Sequence, residues 1–408
     1  MQVIVIGGGA AGFFGAIACA QADPQAQITI LEAASQPLGK VRISGGGRCN
    51  VTHHCFDPKV LIQHYPRGGK TLLGPFSRFQ PQDTIAWFKQ RGVALKTEAD
   101  GRMFPVTDDS ATIVDCLLTE AKRRGVQLRV RCPVRDLQPH KQQWQVMLKK
   151  GELLRGDRVL IATGSNPLGY RWAKQAGHTI ISPVPSLFTF KVSDRRLTGL
   201  AGISVQSVQV QIGSKKQKLQ QTGPLLITHW GVSGPAVLKL SAWGARWLHE
   251  QQYQLPLTVN WLPKLNVETV KDWLNQTKQQ APKRQVGNSS PPEIPKRLWQ
   301  RFVVAAGLTP EQPWAEVSKK AIVRLAQELT QGQYQIQGKG VFKEEFVTCG
   351  GVKLAEVDFK TMASRKALGL FFAGEILDID GVTGGFNFQN AWTTGWLAGQ
   401  GMGQKSNE

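Results

Sequence analysis

The segment "QVIVIGGGAAG" at residues 2–12 limits this chain's fold more than any other stretch. A short apolar run reads as a buried strand, and the glycines that end it lead into "AAGFFGAIACAQA", which reads as a helix. "QITILEA" then reads as a second strand, completing a βαβ unit. Gly7, Gly9 and Gly12 match the pattern GxGxxG at the strand-to-helix turn. The first glycine permits the tight turn, the second lets a pyrophosphate approach the backbone, and the third lets helix and strand pack closely. The helix N-terminus turns N–H groups and partial positive charge toward the phosphates. Glu32 follows Gly12 by twenty positions, at the end of the second strand, where it can accept hydrogen bonds from ribose hydroxyls. A plain strand–turn–helix would not require Glu32.

A second glycine cluster, "GKVRISGGGRCNVTH" at 39–53, follows closely. "RVLIATG", ending at Thr163–Gly164, resembles the strand-plus-ATG turn of two-dinucleotide-binding flavoproteins. "GLFFAGEILD" at 369–378 resembles their C-terminal flavin motif, whose acidic residue, here Glu375, reaches the ribityl chain. An NAD dehydrogenase needs neither, so the expected cofactor is FAD. FAD is long, and its ring lies far from the first glycine turn. The loop 42–50, "RISGGGRCN", suits the ribityl chain and ring edge because small residues expose backbone N–H donors, with Arg42 and Arg48 available to a phosphate. "TGGFNFQNAWTTGWLAG" reads as Gly-Gly followed by a helix whose N-terminus can face the flavin edge that gains negative charge on reduction.

With 408 residues the chain can form two or three domains. From about residue 190 the texture becomes that of antiparallel strands ("SVQSVQVQIG", "QKLQQTGPLLITH"), helices follow, and glycine-rich strands return near 340. The polar, proline-rich run 278–296 reads as an exposed loop. The six cysteines show no CxxC spacing, so free thiols and no metal site are expected. The apolar N-terminus lacks a basic n-region and is broken by glycines, and no long apolar run follows. The expectation is a cytoplasmic protein without a membrane partner.

"GKVRISGGGRCNVTH", "THWGVSGPAVLKLS", "VTCGGVKLAEVDFKTM" and "GLFFAGEILDIDGVTGGFNFQNAW" together closely resemble the BaiN/YhiN-like family of FAD-dependent oxidoreductases. That family includes aminoacetone oxidase-like proteins, bile-acid pathway reductases and a ribosomal RNA dihydrouridine synthase. The resemblance spans essentially the whole chain. It implies an α/β fold in which a Rossmann-like FAD-binding domain of the two-dinucleotide-binding type is interrupted by a β-rich middle domain and a small helical domain. The corresponding divisions are 1–190 and 346–408 for FAD binding, 191–262 plus about 325–345 for the β-rich domain, and 263–324 for the helical one. Implied cofactor contacts are Gly7, Gly9, Ala10, Ala11, Gly12, Glu32, Ala33, Lys40, Arg42, Ser44, Gly45, Gly46, Gly47, Arg48, Cys49, Asn50 and Val134. Thr163, Gly164, Gly374, Glu375, Gly385, Phe386 and Asn387 complete the set. "IATGSNPLGYRWA" departs from the family's usual ATGG and its longer glycine-containing stretch.

The substrate is argued from charge. The formal net charge is +21, and residues 191–300 hold fifteen Lys/Arg against five Asp/Glu. Such a field attracts polyanions. Lys215, Lys216, Lys218, Lys283, Arg284, Lys296 and Arg297 are the expected RNA-binding residues; Trp261, Trp273 and Trp299 lie between them, as base-stacking platforms or, at helical spacing, as core. Among the activities the family resemblance implies, this charge favours reduction of a uridine in ribosomal RNA to dihydrouridine, with hydride added at uracil C6 and a proton at C5. The target base must be unpaired or flipped to be reached. NADH or NADPH would serve as a transient donor, since only one GxGxxG has an acidic partner. Cys49 and His229 are the candidate acids, each with a plain structural alternative: a small residue packed under the ring, and a turn-fixing imidazole. The rival functions are a small-molecule amine oxidase or enone reductase, and a flavin-stabilised RNA-binding assembly factor.

Overall fold

The computed structural model describes residues 1–213, 217–340 and 347–404, so Lys215 and Lys216 lie outside the described residues. The chain forms two compact units, Met1–Val184 with Val347–Glu408, and Pro185–Phe346. These divisions compare with the 190/191 and 345/346 expected from the sequence.

The first unit is built on strand β1 (Gln2–Ile6), helix α1 (Ala10–Ala22), strand β2 (Gln27–Leu31), helix α2 (Gly39–Gly47) and strand β3 (Gln127–Arg129). Strands β4 (Arg158–Ile161) and β5 (Leu370–Phe372) and helix α3 (Phe386–Gly403) complete it. The parallel order is β5-β4-β1-β2-β3, and two short antiparallel strands, Ala363–Ser364 and Val357–Asp358, extend the β5 edge. The chain leaves β1 for β2 on one side and later returns to β4 on the other, so β1 is the topological switch point, whose crevice binds ligands in open α/β sheets. Register aligns the carboxyl ends, because Ile6 lies opposite both Leu31 and Ile161, and Ile161 opposite Phe372. Val3 to Ile6 are all buried, as a parallel strand covered on both faces requires.

Helices α1 and α3 meet along small residues. A Cβ at Gly395 would lie 2.7 Å from the Ala11 carbonyl oxygen, and one at Gly399 only 2.4 Å from that of Gly15. Gly403 would meet Ala22 Cβ at 2.4 Å. Glycine every fourth residue therefore puts one bare stripe of α3 against α1.

The second unit contains a seven-stranded antiparallel sheet, in the order Gly332–Ile336, Leu255–Asn260, Ser204–Gly213, Lys218–Thr228, Gly231–Ser233, Phe190–Lys191 and Gly338–Lys339. The period-two pattern sends Val208, Val210 and Ile212 inward. The helices Val267–Gln280, Lys296–Ala305 and Lys319–Gln331 share one apolar cluster with this sheet, so the helical stretch does not have a core of its own. The run 278–296 also differs from the exposed loop expected. Trp299 Nε1 donates to the Val286 carbonyl at 2.7 Å and Trp314 Nε1 to Ser289 Oγ at 2.9 Å, so two buried indoles draw it onto the core.

Candidate dinucleotide-binding site

The glycine turn after β1 has the geometry its spacing implies. Gly7 has φ +111°, and its Cβ would lie 2.4 Å from the Ala162 carbonyl oxygen. A Cβ at Gly12 would lie 2.0 Å from the Gly7 oxygen, whereas one at Gly9 meets nothing within 4 Å. Two glycines thus serve packing, and the third leaves an open approach to the N-terminus of α1. No side chain caps that terminus, and no acidic residue occupies its first turn. Free N–H groups at an uncapped terminus suit a pyrophosphate.

Glu32 stands beside this opening at the tip of β2. Its Oε2 accepts from Gly8 N–H at 2.8 Å and its Oε1 from Ala34 N–H at 2.7 Å. The backbone thereby fixes the carboxylate next to Ala33. The segment leading to Val134 runs alongside, with Cys132 N–H donating to the Glu32 carbonyl and Arg131 N–H to that of Ala34, at 2.8 and 2.9 Å. Ala10 and Ala11 form the first turn of α1.

Across the switch point, Gly164 (φ +60°) lies within 3.5 Å of Glu375 Oε2, measured from its Cβ position, and Gly374 packs against Ala11. Glu375 Oε1 accepts from Thr348 N–H at 2.9 Å, and Oε2 pairs with Lys40 Nζ. Thr163 Oγ1 is buried with no hydrogen-bond partner among the described residues. A buried hydroxyl without a partner is costly, and a polar ligand at this edge would satisfy it.

The second glycine cluster is a break in α2. Ser44 is extended (ψ 149°), and Gly45, Gly46 and Gly47 follow with φ of 58°, 71° and 87°. Three consecutive left-handed residues expose backbone that side chains would otherwise cover, and Cβ positions at Gly46 and Gly47 meet nothing within 4 Å. The loop is anchored from behind, where Ser110 N–H donates to the Gly47 carbonyl and Ser110 Oγ to that of Arg42, each at 2.8 Å. Arg48 pairs with Glu98 at 2.6 Å and lies 4.0 Å above the Phe104 ring. Arg42 Nε is directed to the Pro37 carbonyl at 3.3 Å.

The two ends of the chain meet at Asn50. With its amide oriented to satisfy both partners, Asn50 Oδ1 accepts from Gly385 N–H at 3.0 Å and Nδ2 donates to the Thr52 carbonyl at 3.1 Å. Gly385 (φ +91°) begins α3, so the loop after α2 is pinned to that helix's N-terminus. Tyr65 Oη donates to the Phe386 carbonyl at 2.7 Å, and His64 stacks on the Phe386 ring at 4.3 Å. Thr52 Oγ1 donates to Gln389 Oε1 at 2.6 Å, and Trp392 Nε1 to the Val51 carbonyl at 2.9 Å. Asn387 is turned back, clamping Gly381 through both amide groups at 2.8 and 2.9 Å. A bidentate pair between Arg67 and the fully buried Asp380 holds the segment that leads into this turn. No local pattern marks Arg67, Asp380, His64 or Tyr65, since each acts on a partner some 300 positions away.

The two candidate acids differ in exposure. Cys49 (φ +61°) is wholly buried, and burial raises its thiol to about 12 despite a hydrogen bond from Ser44. It keeps its proton near neutrality but has no surface to offer a substrate, which favours its packing alternative. His229 is exposed, on the turn between Lys218–Thr228 and Gly231–Ser233 of the second unit. Among the expected RNA contacts, Lys218, Lys283, Arg284, Lys296 and Arg297 are exposed. Trp261 and Trp299 are fully buried and Trp273 packs on the same cluster, so these tryptophans take the core role rather than a stacking one.

The strand–glycine–helix turn, the acidic tip of β2 and the two loops returning from opposite chain ends define a Rossmann-type architecture of the kind built around FAD in oxidoreductases. The HI0933-like protein Rossmann domain model matches residues 1–401, and the chain belongs to that family. The ribosomal RNA dihydrouridine synthase of Escherichia coli (strain K12) is 31% identical over 411 residues, spanning 98% of this chain and 97% of that protein. The 3-dehydro-bile acid delta(4,6)-reductase of Clostridium scindens is 29% identical over 412 residues, 99% of each. The solved 3-ketosteroid-delta4-(5alpha)-dehydrogenase of Rhodococcus jostii RHA1, in complex with 4-androstene-3,17-dione, shares the fold, with TM-score 0.53, 15% identity and coverage of 99% and 97%. No helix among the described residues is long and apolar enough to cross a membrane.

Proposed function

We propose that this chain is an FAD-dependent reductase that converts a uridine of ribosomal RNA to dihydrouridine in the cytoplasm, drawing electrons from NADH or NADPH. The observation that carries the cofactor is the joining of the Gly45–Gly47 loop to the N-terminus of α3 through Asn50 and Gly385. Each protein group then has a definite task. Glu32 would hold ribose hydroxyls of the adenosine half, and the first turn of α1 would bind the pyrophosphate. Thr163 and Glu375 would hold the ribityl hydroxyls, Thr163 through its buried, unpartnered hydroxyl. The bare backbone of Gly46 and Gly47 would offer N–H donors to the flavin, and the α3 terminus would bring partial positive charge to it. FAD, when bound, supplies the hydride chemistry.

The substrate rests on charge and kinship together. The names of the two relatives describe reductions of carbon–carbon double bonds conjugated to a carbonyl, one in uracil and one in a steroid-like acid. A net charge of +21 suits a polyanion, whose many phosphates draw on the whole field, more than an acid with a single carboxylate. The proton donor must touch the reacting base, and Cys49 is wholly buried. The test is dihydrouridine mapping of ribosomal RNA from a deletion strain. Loss of one modified site, restored by the wild-type gene, supports the reading, and an unchanged pattern sinks it. The second reading, a bile-acid-type enone reductase, predicts turnover of a small conjugated ketone with no RNA present.

A further inference from the structure

We infer that the exposed face of the helix Lys296–Ala305, with the neighbouring loop 194–200, is the surface on which the second unit grips the phosphate backbone of RNA. This rests on the ribosomal RNA reading above and assigns the grip to one place on the molecule. The helix carries Lys296, Arg297 and Arg301 and no Asp or Glu. Its inward side, Leu298, Trp299, Phe302 and Val303, is fully buried, so packing fixes the helix's rotation and turns the cations outward. Arg297 and Arg301 stand one turn apart, about 6 Å along the axis, which is comparable to one nucleotide step.

The guanidinium groups are held in place from one side. Arg297 Nη2 donates to the Gly199 carbonyl at 2.7 Å and Arg301 Nη2 to that of Thr198 at 3.1 Å. A guanidinium has five N–H donors in a rigid fork, so anchoring one nitrogen to a carbonyl fixes its direction and leaves donors for a phosphate. The same loop contributes Arg195, which is exposed, while its neighbour Arg196 is consumed internally by Asp194, Glu328 and the Tyr334 ring. That internal pairing occupies Asp194, and the sequence of the loop and the helix holds no other acid to set against their exposed cations.

Placement argues against a purely structural purpose. Lys296 and Arg297 occupy the first helical turn, where the macrodipole disfavours cations, and no acidic residue is present there to offset them. The adjacent helix repeats the arrangement, with Lys319 and Lys320 at its start and again no acid in the first turn. Stability alone would favour Asp or Glu at these positions.

The experiment is fluorescence anisotropy of a labelled unstructured 30-mer RNA with the full chain across a salt series. The variants are Arg297→Glu/Arg301→Glu and, as a control of equal charge change, Lys149→Glu/Lys150→Glu on the exposed hairpin of the first unit. The face reversal should weaken binding by more than about tenfold at moderate salt and lower the log–log salt slope by about 0.7 for each phosphate no longer neutralised. The control should change affinity by less than about threefold. Arg297→Lys/Arg301→Lys, which keeps the charge, should recover most of the affinity, guarding against a loss that merely reflects a loosened loop. Equal losses in the face and control reversals, or no loss in the face reversal, would overturn the assignment. RNA binding by the wild type with an unchanged face variant defeats this inference alone, whereas no binding by the wild type defeats the RNA reading as well.

Discussion

Replacing Gly399 by alanine places one methyl group at a tight point between α1 and α3. That carbon would stand 2.4 Å from the Gly15 carbonyl oxygen, 2.5 Å from Ala18 Cβ and 2.7 Å from Cys19 N. None of these atoms belongs to a flexible side chain that could swing aside, so the helices must part by about 1 Å to restore ordinary contact distances. Alanine gains about 1 kcal/mol over glycine as a helix former. Overpacking against rigid backbone costs about 1–3 kcal/mol, and with two stretches of main chain in the way the upper part of that range applies. The net expectation is a loss of about 1–2 kcal/mol, or a melting temperature lower by about 2–8 °C for a unit of this size. Both helix N-termini face the dinucleotide site, so parting the helices should also loosen the cofactor. Thermal melts followed by near-UV circular dichroism, together with absorbance of retained flavin after gel filtration, measure both effects. A variant that melts at or above wild type and keeps its full flavin complement would refute the close-packing argument.

Glu32→Ala removes the acceptor held by Gly8 and Ala34, and should weaken FAD retention by at least about tenfold, since hydrogen bonds to charged groups contribute about 1.5–3 kcal/mol each. Arg67→Met removes the guanidinium that pairs with the fully buried Asp380, and should cost about 3–5 kcal/mol in denaturant unfolding; adding Asp380→Asn should recover part of that loss. Burial acts to raise the Glu120 carboxyl, but hydrogen bonds from Arg123, Arg124 and Arg91 prevail and hold it down to about 2. Because its folded pKa lies below the unfolded value, its contribution of up to about 3 kcal/mol is complete above pH 4.5 and lost as pH falls toward 2. The stability gap between wild type and Glu120→Gln should therefore be widest near neutrality and close in acid. Cys49→Ala should leave dihydrouridine formation within a few-fold of wild type while reducing stability by roughly 1–2 kcal/mol through the vacated volume, and a complete loss of activity in a folded, flavin-loaded variant would reinstate the thiol as the acid.

The parts of the site that were legible in the sequence are those whose physics is local. Gly7, Gly9 and Gly12 act within one strand–turn–helix unit, and Glu32 ends the very next strand, so spacing alone implied the turn and the acidic residue beside it. The left-handed run at Gly45–Gly47 could be anticipated because only glycine adopts three such residues in succession without strain. Alternation in Ser204–Gly213 likewise announced an antiparallel sheet. Residue types cannot say which partner a side chain takes when several are within reach of its chemistry. Arg48 looked available to phosphate but is taken by Glu98, and Asn387 looked like a ring contact but closes on Gly381. The interleaved tryptophans looked like stacking platforms, yet their large apolar area stabilises the second unit most when it is withdrawn from water, and the core takes them. Composition and spacing determined that a dinucleotide fold with a basic insertion would form. Tertiary packing decided the rest, because contacts such as Asn50–Gly385 and Arg67–Asp380 join positions more than 300 residues apart and leave no local pattern to read.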